Sequence, residues 1–196
     1  MKTLGEIFPS LLENSGLSDL VLRGEVLKVH IANEARSVTL WVKFDGLVER
    51  KVLFDMEFKC AKALNISLVR IIPKFSPELF NEKYFSQIYL AIKRDIPSIN
   101  GTLDNAEVLY KNNELTINLL NGGKSVLDAK GFDKALINKL AEEFGLNVKI
   151  NYSGVFSVSE GSEEYQSVIK NAEEQIQREN NLKAAQFFRE EEENSN

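Results

Sequence analysis

The order strand, strand, helix, strand occurs twice in this chain, and this duplication limits the possible folds more than any other sequence feature. In the later copy, Ala106–Tyr110 is rich in β-favouring residues, and Glu114–Leu119 alternates apolar and polar residues with the period of a half-buried strand. Asn112 and Asn113 separate the two runs and tolerate positive φ angles. The two runs therefore predict a β-hairpin.

The later copy continues with a helix and a third strand. Apolar residues recur at helical spacing from Val126 to Phe144 and predict a single helix. Gly145 predicts a left-handed cap at its end, and Leu146–Tyr152 alternates again as a strand. A hairpin, a helix and a strand therefore form one unit.

The earlier copy has the same plan behind a leading helix. Thr3 and Glu6 are spaced as a capping box at the start of an amphipathic segment, in which Pro9 marks either a break or a late helix start. The elements predicted after it are strands at Leu22–Ala32, Arg36–Phe44 and Ile66–Ile72, with a helix from about Gly46 to Leu64 that stops at Asn65. A further helix is predicted from Pro77 to about Arg94.

This repeat of pattern predicts an α+β protein with two small domains. Each domain is expected to hold a three-stranded sheet with helices on one face, in the order helix, strand, strand, helix, strand. The predicted limits are residues 1–76 for the first domain and 77–158 for the second. Residues 159–196 are predicted to form a charged helical connector that leads into a longer polypeptide.

The distribution of charge favours a protein partner over a nucleic-acid backbone. Residues 1–96 carry 14 Lys and Arg against 12 Asp and Glu, a net +2, whereas residues 97–196 carry 10 against 17, a net −7. Phosphate-backbone binding comes mainly from clustered cations, and this balance does not indicate such a cluster. No apolar run approaches the ~20 residues of a membrane span, so a cytoplasmic location is expected.

The sequence offers little chemistry for an active site. Cys60 and His30 are the single cysteine and the single histidine, too few for a structural zinc site. The acidic pairs Glu142-Glu143 and Glu163-Glu164 lie on predicted helices, where adjacent side chains diverge by about 100°, and are interpreted as solvated faces. We therefore expect no catalytic residue, metal or cofactor in this chain.

The segment Asn121–Ser125 resembles the end of a phosphate-binding loop. The full motif needs a glycine at position 118, where this chain has Asn. The full motif also follows a strand of a parallel sheet, whereas the segment in this chain follows a predicted hairpin. The favoured interpretation is a turn that leads into a helix, with Ser125 as the cap and Asp128 completing a capping box.

Trp41 marks a candidate binding surface. If the apolar residues of the strand Arg36–Phe44 face the helices, Trp41 lies on the outer face of the sheet, beside the cations Lys28, His30 and Lys43. An exposed Trp among cations suits a protein hot spot or a base-stacking platform. The alternative is that Trp41 packs under the first helix or against the second domain. The outer face of the second sheet is expected to offer only Thr116, Asn118, Lys149 and Asn151.

Five segments resemble the amino-terminal region of PolC-type bacterial DNA polymerase III alpha subunits. They are Phe85–Leu90, Pro97–Leu103, Leu115–Leu119, Leu140–Leu146 and Val155–Ser159. The resemblance covers about Leu79 to Glu174, and it extends to residues 1–78 only through the order and position of the elements.

The resemblance implies a replicative DNA polymerase whose phosphoesterase-like, 3′-5′ exonuclease and polymerase modules lie beyond this chain. It also implies that the two N-terminal domains are non-catalytic. The first would be similar in fold to a KH-type nucleic-acid-binding domain and to the polymerase-binding domain of the clamp-loader tau subunit. This sequence lacks the Gly-x-x-Gly loop with which KH domains clamp a nucleic-acid backbone, which favours a protein partner. The hypothesis is docking of a replisome partner such as tau, with single-stranded nucleic-acid binding by the Trp41 face as the alternative.

Overall fold

Two three-stranded sheets, each built from a hairpin and a parallel third strand, form the framework of the protein in the computed structural model. The structure describes residues 2–9, 19–120 and 122–154. We call residues 2–76 the first half and residues 77–154 the second half. The predicted α+β class with its two three-stranded sheets is confirmed, whereas the predicted C-terminal helix lies outside the described residues.

The first half follows the predicted order of elements, apart from one additional short helix before its first strand. Its described elements are α1 (Leu4–Ile7), α2 (Asp19–Leu22), β1 (Glu25–Ala32), β2 (Ser37–Lys43), α3 (Arg50–Leu64) and β3 (Leu68–Lys74). The predicted capping box is confirmed at α1, since the Thr3 N–H donates to Glu6 Oε2 at 2.7 Å and the Glu6 N–H donates to Thr3 Oγ1 at 3.2 Å. These two bonds satisfy backbone donors that the first helical turn leaves free.

The second half begins with two 3-10 turns before its first α-helix. Its described elements are the 3-10 turns Pro77–Leu79 and Glu82–Tyr84, α4 (Phe85–Asp95), the 3-10 turn Pro97–Ile99, β4 (Glu107–Lys111), β5 (Glu114–Leu119), α5 (Lys124–Ala129), α6 (Phe132–Phe144) and β6 (Lys149–Gly154). The central strand of each sheet pairs antiparallel with its hairpin partner and parallel with the strand that returns after the helices. Such a parallel return requires a crossover, which α3 supplies in one half and α5 and α6 supply in the other.

Residues with positive φ angles lie where the sequence predicts turns and helix ends. Asn112 and Asn113 have φ angles of 51° and 62° in the second hairpin turn. Asn65 ends α3 with φ 50°, and Gly145 ends α6 with φ 67°. Asn and Gly are the residues that adopt this conformation most readily, so these predictions are confirmed.

Several boundaries in the first half differ from those predicted. The run beginning at Leu22 is not strand at its start, because Asp19–Leu22 is helical and β1 begins at Glu25. Helix α3 begins at Arg50 rather than near Gly46. The third strand continues through Pro73 to Lys74, which an edge strand tolerates because the missing proline N–H faces away from its neighbour.

Two predicted helices of the second half are shorter than expected. The helix predicted from Pro77 begins only at Phe85, after the two 3-10 turns. The helix predicted up to Phe144 is divided at Gly131, whose φ angle of 65° ends one segment and starts the next. The predicted Ser125 cap is also wrong, because Gly123 occupies the cap position and Ser125 lies inside α5.

Aromatic rings join the cores of the two halves. The ring of Phe75 lies 6.1 Å from that of Phe44, 5.6 Å from that of Tyr84 and 5.0 Å from that of Phe144, measured between centroids. The Phe75 N–H also donates to the carbonyl of Glu143 at 2.7 Å. The buried apolar side chains of both halves consequently form one continuous core, within which the domain limit at residues 76 and 77 stays a prediction.

Candidate functional site

The predicted binding surface lies on the face of the first sheet that points away from α3. Leu40 and Val42 on β2 are buried, and the register with β3 places Thr39 beside Arg70 and Trp41 beside Ile72 on the opposite face. In β1 the residues opposite Thr39 and Trp41 are His30 and Lys28. We call this surface, with Lys43 and Lys74 at its end, the outer face of the first sheet.

Lys28 and Trp41 form a contact pair on this outer face. The Lys28 ammonium lies 4.7 Å from the centroid of the indole ring, within the range of a cation–π interaction. Lys28, His30 and Lys43 are exposed, whereas Trp41 is half-buried. The structure therefore brings the four predicted residues to one face, with one surface of the indole ring covered by Lys28.

The second half of the chain contacts the same face on the side of β3, the edge strand opposite β1. The Trp41 indole N–H donates to the Glu142 carboxylate at 3.3 Å, and the Lys74 ammonium donates to the Glu142 carbonyl. Glu142 belongs to the last turn of α6. Trp41 thus contacts the second half, as the alternative interpretation proposed, while Lys28 and His30 on β1 stay open to solvent.

Strand β1 is exposed on both of its faces. Val29 and Ile31 pair with Leu40 and Val38 and so lie on the side of the sheet that bears α3, yet they are 49% and 63% exposed. The reason is that α3 packs along β3, at the other edge of the sheet. The register shifts between Val26 and Lys28, which leaves Leu27 as an extra, exposed residue in a β-bulge.

The outer edge of β1 is also available for pairing. Its first residues are covered, because the Val26 N–H donates to the Lys2 carbonyl and Thr3 forms an isolated bridge with Glu25. From residue 27 to residue 32, no other strand among the described residues pairs with that edge. A free edge with apolar side chains is a template for a further strand.

The outer face of the second sheet differs in being occupied by its own polar contacts. Glu114 accepts from Lys149 at 3.2 Å and from Asn151 at 3.4 Å, and Asn118 accepts from Ser153 at 3.3 Å. Leu109 is a large apolar residue on this face and is 61% exposed. Most polar side chains on the outer face of the second sheet therefore bond to one another.

A buried ion pair between the two halves was missed by sequence reasoning. Arg50, 3% exposed, donates to the carboxylate of Glu143, which is 1% exposed, and the Lys139 ammonium lies 3.9 Å from the same carboxylate. Burial raises the pKa of Glu143, while the charges of Arg50 and Lys139 oppose that rise. The interpretation of Glu143 as part of a solvated face was therefore wrong.

Glu57 is a second buried carboxylate of this kind. One of its oxygens accepts from the Ile71 N–H at 2.7 Å, and the other accepts from Arg94, whose guanidinium also lies 4.1 Å from the centroid of the Phe54 ring. The sequence does contain a signal for these residues. Glu57 is four residues after the buried Leu53, and Glu143 is three residues after the buried Leu140, so each lies on the apolar face of its helix.

Within the described ranges, no group of three or more His, Cys, Asp and Glu side chains is placed to hold a metal ion. None of the helices described is both long enough and apolar enough to cross a membrane. Comparisons with protein-family models, with curated proteins and with solved structures each return no match.

Proposed function

We propose that this chain is a non-catalytic docking module that binds an extended segment of a protein partner along strand β1. The observation that supports it most is the exposure of β1 on its edge and on both faces. Its outer face presents Lys28 and His30, and its inner face presents Val29 and Ile31. Addition of a strand to such an edge uses main-chain hydrogen bonds for affinity and alternate side chains for specificity.

The chemistry of β1 also describes the segment that it would accept. Apolar side chains of the segment would pack beside Val29 and Ile31, and acidic side chains on the opposite side would face Lys28 and His30. A partner strand with alternating apolar and acidic residues meets both requirements. The exposed apolar side chains at the edge would contribute most to the free energy of binding, because the partner strand removes them from water.

The resemblance to PolC-type polymerases gives this module a proposed context. In that context the chain is the N-terminal part of a replicative DNA polymerase III alpha subunit, and the partner is the clamp-loader tau subunit. The order of the elements and the three-stranded sheets are compatible with the KH-like plan that the resemblance implies. Catalysis and DNA contact would then belong to modules outside this chain.

The experiment pairs two matched substitutions in a binding assay with purified tau subunit. Ile31 and Leu109 are 63% and 61% exposed, and each lies on the outermost strand of its sheet. We expect the wild-type chain to bind tau, Ile31→Glu to weaken binding at least tenfold, and Leu109→Glu to bind as wild type does. Circular dichroism checks that both variants are folded.

The outcomes separate the partner from the surface. Absence of any binding above background would remove tau as the partner. Equal losses in Ile31→Glu and Leu109→Glu would remove β1 as the docking surface.

A second candidate function is binding of single-stranded nucleic acid on the outer face of the first sheet. The observation that favours it is a row of basic side chains contributed by all three strands: Lys28, His30, Lys43, Arg70 and Lys74. The Lys28 contact with Trp41 would have to be exchanged for base stacking. An oligonucleotide used in place of tau tests this candidate, since its affinity would fall steeply with salt.

A further inference from the structure

A cavity of about 230 Å³ lies beside the edge strand β3, where the first sheet meets α4 and α6. Four cationic side chains from four different elements line it, namely Arg50, Arg70, Arg94 and Lys139. Two carboxylates, Asp95 and Glu143, also line it. We call it the junction cavity, because both halves contribute to its wall.

The charges around the junction cavity do not cancel. Arg70 pairs with Asp95 at 2.8 Å, and Arg94 pairs with Glu57, which stands outside the lining. Glu143 is left to balance two cations, Arg50 and Lys139. When Glu57 is counted with the two carboxylates of the wall, four cations are balanced by three anions, so one positive charge is left over and suits an anionic ligand.

The buried side chain of Arg50, which lines the cavity, has an unpaired hydrogen-bond donor. Its side chain is 4% exposed, and no atom of the described residues accepts a hydrogen bond from its Nε–H. A buried donor is normally paired, and an unpaired one marks a group that a ligand can satisfy. A guanidinium presents its donors as a planar fork that matches the oxygens of phosphate and similar anions.

The size of the cavity restricts the anion. Its volume of about 230 Å³ is below the range of roughly 300–1,000 Å³ for pockets that enclose drug-sized molecules. Cations that approach from several elements suit a compact group with acceptor oxygens on all sides. We propose that the junction cavity binds a tetrahedral oxyanion, either free phosphate or the phosphate group of a small phosphomonoester.

The test is calorimetric titration of the full 196-residue chain with inorganic phosphate, at an ionic strength held constant with sodium chloride. A parallel titration with methyl phosphate separates the two sources of the group. We expect saturable binding of at least one of the two, and a ligand-dependent rise in the temperature of unfolding, because the bound anion would bridge both halves.

Three variants locate the binding. Arg70→Gln removes a half-exposed cation of the cavity and should weaken binding about tenfold or more. Arg50→Lys keeps the charge beside Glu143 but removes the Nε donor, and it should also weaken binding. Arg23→Gln is the control, since it removes the same charge from an exposed side chain that does not line the cavity.

Two results would overturn the proposal. One is the absence of saturable binding of either phosphate ligand beyond the effect of chloride. The other is an equal affinity of wild type, Arg70→Gln and Arg23→Gln, which would place any bound anion elsewhere. If Arg50→Lys does not fold, the comparison of Arg70→Gln with Arg23→Gln still decides.

Discussion

The Arg50–Glu143 pair couples two residues that are far apart in the chain and almost completely removed from water. Desolvation of two charges costs free energy that their mutual attraction only partly returns. Once both are buried, however, each depends on the other, because a single buried charge without its partner is strongly unfavourable. The pair is therefore expected to matter more for holding the two halves in register than for net stability.

Substitution of one partner should be costly, and substitution of both should be tolerated. We expect Glu143→Gln to lower the free energy of unfolding by about 3–5 kcal/mol, since it leaves the buried Arg50 without a counter-charge. The double variant Arg50→Met with Glu143→Met should recover most of that loss. Urea denaturation of the three proteins measures both effects.

The neighbouring Glu142→Gln variant is the control for this prediction. Glu142 is half-buried, and a glutamine side chain keeps an oxygen that can accept from the Trp41 indole. A loss in Glu143→Gln no larger than that in Glu142→Gln would contradict a special role for the buried pair.

Helical spacing from Leu140 places Glu143 on the apolar face of its helix, but it does not identify Arg50 as the partner of the buried carboxylate. Two adjacent glutamates on a helix are normally solvated, and here one of them is half-buried and the other fully buried. The difference depends on a guanidinium 93 positions away, which no local pattern reports. The predicted surface residue Lys28 was accessible to sequence reasoning, because strand alternation places it on the same face as Trp41 and the register is unbroken from the hairpin turn to this pair.

Turns and helix ends were the most predictable elements. Residue type alone predicts positive φ angles at Asn112, Asn113 and Gly145, and all three residues have positive φ angles in the structure. Helix starts were less predictable, because apolar residues before Arg50 belong to an irregular segment that packs on the same core. Burial within a helix was also hard to predict from the sequence. Phe58 fits the apolar helical spacing of α3 but is 71% exposed, whereas the neighbouring Glu57 is buried.

The cap of α6 allows a prediction about a single helix end. Gly145 has φ 67°, its N–H donates to carbonyls of the last turn, and a Cβ added there would meet nothing within 4 Å. Gly145→Ala should therefore destabilise the protein by about 1–2 kcal/mol through its backbone conformation alone. The measurement is the midpoint of urea denaturation together with its slope.

Gly145→Asn provides the matched control at this position. Asn adopts the left-handed conformation more readily than Ala, as Asn65 does at the corresponding end of α3. The asparagine variant should accordingly lose less than half as much stability as the alanine variant. Equal losses would mean that the cost arises from contacts and not from the φ angle.

At the scale of the molecule, the duplicated topology was predictable and the junction was not. Periodicity within each copy gives strands and helices, but it carries no information on which helix covers which strand. The exposure of β1 follows from the position of α3 along β3, and the shared ring cluster follows from the meeting of Phe75 with Phe144. Both features arise from contacts between elements that are distant in sequence.

The shared core predicts that both halves unfold in a single transition. The ring of Phe144 lies 5.0 Å from Phe75 and 5.2 Å from Phe80, so its removal would open the core on both sides of the junction. We expect Phe144→Ala to lower the free energy of unfolding by about 3–5 kcal/mol, and Phe58→Ala, at an exposed site on α3, to change it by no more than about 0.5 kcal/mol. Pulsed amide hydrogen exchange across a denaturant series follows β2 in the first half and β5 in the second. Separate midpoints for the two probes in the wild-type protein would mean that the halves are independent folding units and that the ring cluster does not couple them. Coincident midpoints that shift together in Phe144→Ala would mean that one core stabilises both sheets.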